Sequence, residues 1–122
     1  MEWKITIPGN PATKKNSSEI YNNNGRRFVM PSQRFRDYQD MALWFVPQYG
    51  INVPVNIKCL YYRQTKARVD LVNLLEATDD ILQVGGAITN DDWRVVAGHD
   101  GSRVLFDKEN PRVEITITTM EA

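Results

Sequence analysis

The chain has 122 residues with 15 basic and 15 acidic side chains, so its formal net charge is zero. This length predicts one domain, residues 1–122, with a hydrophobic core of its own. No signal peptide is recognisable, and the apolar runs are far shorter than the roughly 20 residues that cross a bilayer. We therefore expect a cytoplasmic protein with no membrane contact. Cys59 is the only cysteine, which excludes an intramolecular disulfide and fits a reducing compartment.

The charges are unevenly distributed along the chain. Residues 1–69 hold 11 Lys and Arg against 4 Asp and Glu, whereas residues 70–122 hold 4 against 11. The basic half is a candidate for phosphate contact and the acidic half for metal binding. The alternative is that the two halves only attract each other in the fold, although surface ion pairs contribute little to stability.

The first half of the chain predicts short strands and one helix. Apolar and polar residues alternate over residues 3–7, which indicates a strand. The segment Asn22–Gly25 is typical of a hairpin turn, because Asn-Gly accepts positive φ. Ser32 is a good N-cap for a helix that Pro47 ends, since its hydroxyl can accept an unpaired backbone N–H.

Four cations lie on the two sides of the predicted hairpin. Lys14 and Lys15 precede it, and Arg26 and Arg27 follow the turn directly. With Tyr21 and Phe28 interleaved, they form a candidate cationic arm that binds DNA. The alternative is that these side chains are only solvated.

The middle of the chain changes from a strand pattern to a helix pattern. Alternation over residues 55–61 predicts a half-buried strand. Apolar residues then recur at three- and four-residue steps over residues 71–82, as on one face of a helix that Gly85-Gly86 ends. Glu76 and Asp80 share another side of that helix with Asn73.

Several carboxylates accompany this helix. Asp70 comes where the strand is expected to end, Asp80 lies on the polar helix side, and Asp91 and Asp92 follow the helix. Acidic groups brought together from separate elements repel unless a divalent cation lies between them. Oxygen ligands favour Mg²⁺, with Mn²⁺ as a substitute, over zinc. Asp79 taken alone is interpreted as part of the solvated helix face.

Three cations, Arg63, Lys66 and Arg68, come just before Asp70. Beside a carboxylate cluster that binds metal, such cations can hold the phosphate that the metal activates. Neutralising the acidic cluster is an equally good interpretation for any one of them. His99, the only histidine, is interpreted as structural or surface-exposed more readily than as catalytic.

The rest of the chain predicts three further strands. Residues 93–99 and 103–106 are expected to form a hairpin around Asp100-Gly101, and residues 113–117 alternate as a last strand. With the elements above, this predicts an α+β fold: a mixed β-sheet of about five or six strands, covered by two main helices.

The acidic stretch resembles a known family. Asp70–Glu76, with Asp80 and Leu82 and then Asp91-Asp92, resembles the motif of the RusA family of Holliday junction resolvases. That motif reads approximately Asp-Leu-Asp-Asn-Leu-x-Lys, with a further Asp and then a paired Asp-Asp. The resemblance implies a RusA-like fold, a homodimer, Mg²⁺ dependence and paired cuts in four-way DNA junctions. A symmetric junction suits a two-fold dimer, because each subunit then meets an equivalent strand.

Two positions depart from the family motif. Val72 replaces the second Asp, and Glu76 replaces the Lys. We interpret this as a rearranged ligand set, in which Glu76 supplies the carboxylate that Val72 removes. The alternative is a catalytically impaired module that binds junction DNA without cutting it, and a weaker one is a structural metal-binding protein.

Roles follow for the residues of the predicted site. Asp70 and Asp92 are the preferred metal ligands, Asp91 comes next, and Glu76 and Asp80 support them. The candidate catalytic set is Asp70, Asp91 and Asp92 with two cations that would stabilise the charged phosphate. These cations are Lys66 and Arg68. The candidate DNA-binding residues are Lys14, Lys15, Arg26, Arg27, Arg63, Lys66 and Arg68.

Overall fold

The computed structural model describes residues 1–14, 18–23 and 25–120, with the backbone alone for residues 18–23 and 27–31. Within these residues the chain forms short strands around two helices. Their order is β1 (Glu2–Pro8), β2 (Ser18–Asn23), β3 (Arg26–Pro31), α1 (Gln33–Leu43), β4 (Val55–Arg63), α2 (Leu71–Val84), β5 (Val96–Gly98), β6 (Arg103–Phe106) and β7 (Arg112–Thr119).

The main sheet has five strands and is mixed. β7 lies between β1 and β4 and is antiparallel to both, while β5 and β6 pair in parallel with the other edge of β4. β2 and β3 form a separate antiparallel pair in which Asn23 is in register with Arg26, as the predicted hairpin requires. The predicted α+β fold with a mixed sheet and two helices is confirmed.

One face of the main sheet packs against the helices and forms the core. Every second residue of β4 is buried, as the alternation of the sequence predicted. The hydroxyls of Tyr61 and Thr78 lie 2.7 Å apart and join β4 to α2 by a buried hydrogen bond. Cys59 is fully buried in the same core. The buried residues of α2 are Leu74, Ala77, Thr78, Ile81 and Leu82.

The helix starts agree with the sequence, and one helix end does not. The Ser32 hydroxyl accepts the N–H of Phe35 at 3.2 Å and caps α1. This helix ends at Leu43, four residues before Pro47, and Phe45 beyond it is 45% exposed. In the part of the chain that the structure describes, neither helix has the length and apolar character to span a bilayer.

The predicted hairpin at Asp100-Gly101 is wrong. β5 and β6 run in the same direction along one edge of β4, so the turn interrupts a strand path without reversing it. The Asn56 side chain bonds both the N–H and the carbonyl of Asp100, at 2.8 and 3.1 Å. Asn56 therefore replaces the sheet hydrogen bonds where β5 stops, and the chain continues forward into β6. The predicted strand 93–99 shortens to Val96–Gly98.

Candidate active site

An open pocket of about 360 Å³ lies along α2, between this helix and the segments that follow it. Acidic side chains dominate its polar lining, and one histidine joins them. Five of its residues come from α2, at the three- and four-residue steps that share one helix face. The lining residues are Val72, Leu75, Glu76, Asp79, Asp80, Asp91 and His99.

Lys14 reaches the acidic side of α2. Its ammonium lies 3.0 Å from Asp80 Oδ2, and the two side chains are 43% and 29% exposed. The same ammonium is 6.0 Å from the centre of the Phe35 ring on α1. Lys14 also lines the adjoining cleft with Asn73 and Glu76. This residue of the predicted cationic arm is therefore part of the site itself.

Asp79 and His99 form a hydrogen-bonded pair within the pocket. Asp79 Oδ2 lies 2.9 Å from His99 Nε2, and His99 Nδ1 lies 2.9 Å from the carbonyl oxygen of Ile57. Since a carbonyl only accepts, Nδ1 carries a proton. The contact between Nε2 and Oδ2 then also requires a proton, whichever of the two atoms holds it. The pair fastens α2 to the sheet at the end of β5.

The surroundings of this pair raise the pKa of both partners. Burial raises the pKa of Asp79, and the hydrogen bond from His99 opposes that shift. The hydrogen bond to Asp79 raises the pKa of His99 above its ordinary 6.5, against the effect of burial. Asp79 is only 14% exposed. Its interpretation as a solvated helix residue is therefore wrong, because the sequence does not reveal the histidine that covers it.

The turn after α2 separates the roles of two neighbouring aspartates. Asp91 is exposed and lines the pocket. Asp92 instead accepts the backbone and guanidinium N–H groups of Arg94 at 2.6–3.2 Å. These bonds hold the pKa of the Asp92 carboxyl below its usual range. Asp92 is not among the residues that line the pocket.

Asp70 is the N-cap of α2. Its Oδ1 accepts the N–H of Val72 at 2.9 Å, and the side chain is exposed. The loop of residues 64–69 separates it from β4, so it lies at a helix start and not at a strand end. Asp70 does not line the pocket. Its role as a metal ligand stays a prediction.

The three cations before Asp70 occupy different environments. Arg63 is buried, and its Nη1 donates to the Ala67 carbonyl at 2.6 Å. Burial lowers its pKa, with a contribution from the nearby Arg34. Lys66 is exposed, with its ammonium 5.1 Å from the centre of the Phe106 ring, and Arg68 is exposed. Lys66 and Arg68 are thus better placed to meet a phosphate than Arg63.

The remaining members of the cationic arm are described in part. Arg26 is exposed at the start of β3. The backbone of Arg27 pairs with Asn22 in the β2–β3 ribbon. Lys15 and the side chain of Arg27 lie outside the described residues. DNA binding by this arm stays a prediction.

The donor set of the pocket suits a hard cation. Glu76, Asp80 and Asp91 offer carboxylate oxygens, which Mg²⁺ and Mn²⁺ prefer. Asp79 Oδ1 is buried without a hydrogen-bond partner among the described residues. Over those residues, no three His, Cys, Asp or Glu side chains are grouped closely enough to hold a metal ion. The carboxylates would therefore have to move closer together around a bound ion.

Sequence reasoning missed two of the titratable residues that line this pocket, Asp79 and His99. Asp79 carries a signal, since it lies three residues after Glu76 on the helix. His99 carries none in its local pattern, because its partner is 20 residues away.

A comparison with protein families gives one match. The family model described as "Endodeoxyribonuclease RusA" matches residues 8–118. This range contains both helices and every residue that lines the pocket. It confirms the family resemblance found in the acidic stretch. No curated protein matches the chain.

Proposed function

The chain belongs to the RusA endodeoxyribonuclease family, and from this premise we propose that it is a metal-dependent nuclease that resolves four-way DNA junctions. The observation that carries the proposal is the pocket on α2, where Glu76, Asp80 and Asp91 come from two parts of the chain. Carboxylates from two parts of the chain that line one pocket could form a divalent metal site for phosphodiester hydrolysis if a bound ion drew them closer together.

Mg²⁺ is the proposed cofactor, and Mn²⁺ is its substitute. Asp91, Glu76 and Asp80 would hold it, and Asp70 and Asp92 are the further candidates from the sequence. When bound, such an ion supplies an activated water and stabilises charge on the phosphate. Glu76 and Asp80 have the helical spacing to act together, because residues four apart lie on the same side.

The chain's own cations would bind and orient the DNA. Lys66 and Arg68 are exposed in the loop that leads into α2, so they would meet the DNA backbone close to the N-terminus of this helix. Lys14 would approach the same phosphate when it leaves Asp80, its present partner at 3.0 Å. A homodimer would place two such sites on the symmetric arms of a junction.

A second function is favoured by the two motif departures. Val72 is 67% exposed at the pocket, at the position where the family motif carries an Asp. Glu76 adds a negative charge where the motif carries a Lys. These changes favour a protein that binds junctions through its cations but does not cut them.

The deciding experiment is cleavage of an end-labelled four-way junction by the purified protein. Reactions contain Mg²⁺, Mn²⁺ or EDTA, and a duplex of matching sequence serves as the substrate control. We expect paired cuts near the branch point with either metal and none in EDTA. Binding without cleavage under every metal condition would favour the non-cutting module.

Asp91→Asn and Glu76→Gln test the site in the same assay. We expect Asp91→Asn to abolish cleavage while junction binding persists, because it removes a ligand and a negative charge near phosphate. Glu76→Gln should raise the Mg²⁺ concentration needed for half-maximal cleavage. Circular dichroism should show both variants folded. Wild-type Mg²⁺ dependence in Glu76→Gln would leave Glu76 as a solvated helix residue.

A further inference from the structure

Trp93 is 79% exposed and lies two residues after Asp91, which lines the pocket. Indole is a large apolar group, and leaving it in water forgoes the free energy that its burial would contribute. Trp93 immediately follows the two aspartates of the turn after α2. The exposed ring is therefore available for contact with a partner.

The backbone on both sides of Trp93 is held in place. The Arg94 guanidinium makes a bidentate contact with Asp92, with Nη2 2.6 Å from Oδ2 and Nε 3.1 Å from Oδ1. The carbonyl of Asp92 accepts the N–H groups of Val95 and Val96 at 3.0 and 2.8 Å. The indole thus projects into solvent from an ordered turn, which lowers the entropy cost of binding.

Trp93 is also within reach of the pocket. It lies two residues after Asp91, so the two Cα atoms are at most about 7–8 Å apart at 3.8 Å per step. Asp91 lines the pocket proposed to receive the scissile phosphate. A nucleotide whose phosphate occupies that pocket would have its own base, or that of its neighbour, within the range of the indole.

The surroundings of Trp93 distinguish the kind of partner. Its neighbours Asp92 and Arg94 are charged, whereas the cores of protein–protein interfaces are depleted of charged residues. A single aromatic ring among charged groups is suited to stacking on a base, since every base has a π-face. The carboxylate beside the ring is paired with Arg94, so it does not repel DNA as a free charge would.

We propose that Trp93 stacks on a nucleobase left unstacked at the branch point and so helps this protein to prefer branched DNA over duplex DNA. The inference rests on the proposed function, since it names a determinant of substrate selection at the same site. In an uninterrupted duplex the bases are stacked on each other, and the indole gains no such contact.

The test measures DNA binding without metal, so that the contribution of Trp93 to affinity is separated from cleavage. The affinities of Trp93→Ala for a four-way junction and for a matching duplex are measured in EDTA. We expect the variant to bind the junction about tenfold or more weakly, within the range of base–aromatic stacking, and the duplex nearly as wild type does. Trp93→Phe should restore most of the junction affinity, because it keeps an aromatic face.

Trp44→Ala is the matched control. Trp44 is 88% exposed and is the C-cap residue of α1. This variant should leave both affinities unchanged. A Trp3→Phe, Trp44→Phe protein retains Trp93 as its one tryptophan, since the chain has three. Its fluorescence should be quenched by junction DNA and much less by duplex DNA.

Three results would overturn the inference. The first is equal weakening of junction and duplex binding by Trp93→Ala, and the second is no weakening of either. The third is a lower molecular mass of Trp93→Ala than of wild type in sedimentation, which would make Trp93 a contact between copies of this chain. Loss of the proposed nuclease activity would appear separately, as absence of cleavage by the wild-type protein in Mg²⁺ despite Trp93-dependent binding.

Discussion

At the scale of single residues, Asp70 has a structural role that is separable from chemistry. Its Oδ1 caps α2 by accepting the Val72 N–H at 2.9 Å. Asn is as good an N-cap as Asp, while Ala lacks the acceptor. Substitutions at this position therefore distinguish the cap from the proposed ligand.

We predict that Asp70→Asn strongly reduces cleavage while the free energy of unfolding changes little. Asp70→Ala should show the same reduction in activity and, in addition, a decrease of about 1 kcal/mol in stability, because the cap is removed. Urea unfolding and junction cleavage measure the two effects. Normal cleavage by Asp70→Asn would restrict Asp70 to its capping role.

The Asp79–His99 pair makes stability depend on pH. The folded-state pKa of His99 is raised above 6.5, so the folded state binds more protons than the unfolded state between those two values. Stability from His99 is therefore fully present below pH 6.5 and falls as pH rises through the folded-state pKa. The raised pKa of Asp79 acts in the same direction, beginning at its ordinary value of 3.8.

We predict that His99→Gln is less stable than wild type by about 1–2 kcal/mol at pH 6, since this change removes a hydrogen bond to a charged group. The difference should shrink as the pH is raised to 9, because the imidazole loses its proton as the pH rises through the folded-state pKa of His99. Urea unfolding at both pH values measures it. Asp79→Asn should show the same convergence, and a difference that grew with pH would contradict the assignment.

At the scale of elements, the end of α2 packs closely on the segment after α1. A Cβ added at Gly85 would lie 2.6 Å from Cγ1 of Val46, which is itself 8% exposed. The glycine thus lets the two segments approach closely. Its missing side chain matters here and its backbone conformation does not, since any residue can adopt its φ of −76°. This close approach fixes the C-terminal end of the helix that carries the pocket.

We predict that Gly85→Ala destabilises the protein by about 1–3 kcal/mol, as overpacking in a core does. In a Val46→Gly background the same change should cost much less, because Cγ1 and Cβ of Val46, at 2.6 and 2.8 Å from the added Cβ, are both gone. Thermal or urea unfolding of the four proteins gives the coupling energy. Additive effects would show that the two positions do not interact in this way.

At the scale of the whole molecule, the fold brings the basic and acidic halves together in part. Lys14 of the basic half contacts Asp80 of the acidic half, whereas Asp92 and Asp107 pair with arginines of the acidic half itself. Exposed cations such as Arg26 and Arg68 therefore still face solvent. The contact between Lys14 and Asp80 supports attraction between the two halves. The exposed cations support contact with phosphate.

We predict that replacing Lys14, Lys15, Arg26 and Arg27 by Ala weakens DNA binding and flattens its dependence on salt. The log–log slope should fall by roughly 0.9 for each duplex phosphate that the variant no longer neutralises. Binding measured across a range of NaCl concentrations gives the slope. Lys108→Ala, at an exposed turn of the acidic half, is the control. An unchanged slope would remove the arm from the DNA interface.

Local patterns in the sequence predicted most of the fold. Alternation identified β1, β4 and β7, and the three- and four-residue steps identified α2. Ser32 marked the start of α1, and Asp70 to Glu76 carried the family motif, which the family match confirms. These features depend on residues a few positions apart, so they are visible in the order of the amino acids.

The tertiary structure decided what depends on partners distant along the chain. β5 and β6 pair in parallel with β4, and Asn56 bonds Asp100 between them across 44 residues. The same holds for Asp79, whose burial under His99 no helix pattern reveals. The sequence by itself thus determined which elements form and which family the chain resembles. Only the folded chain decided which carboxylates share a pocket, because that depends on long-range packing and not on local periodicity.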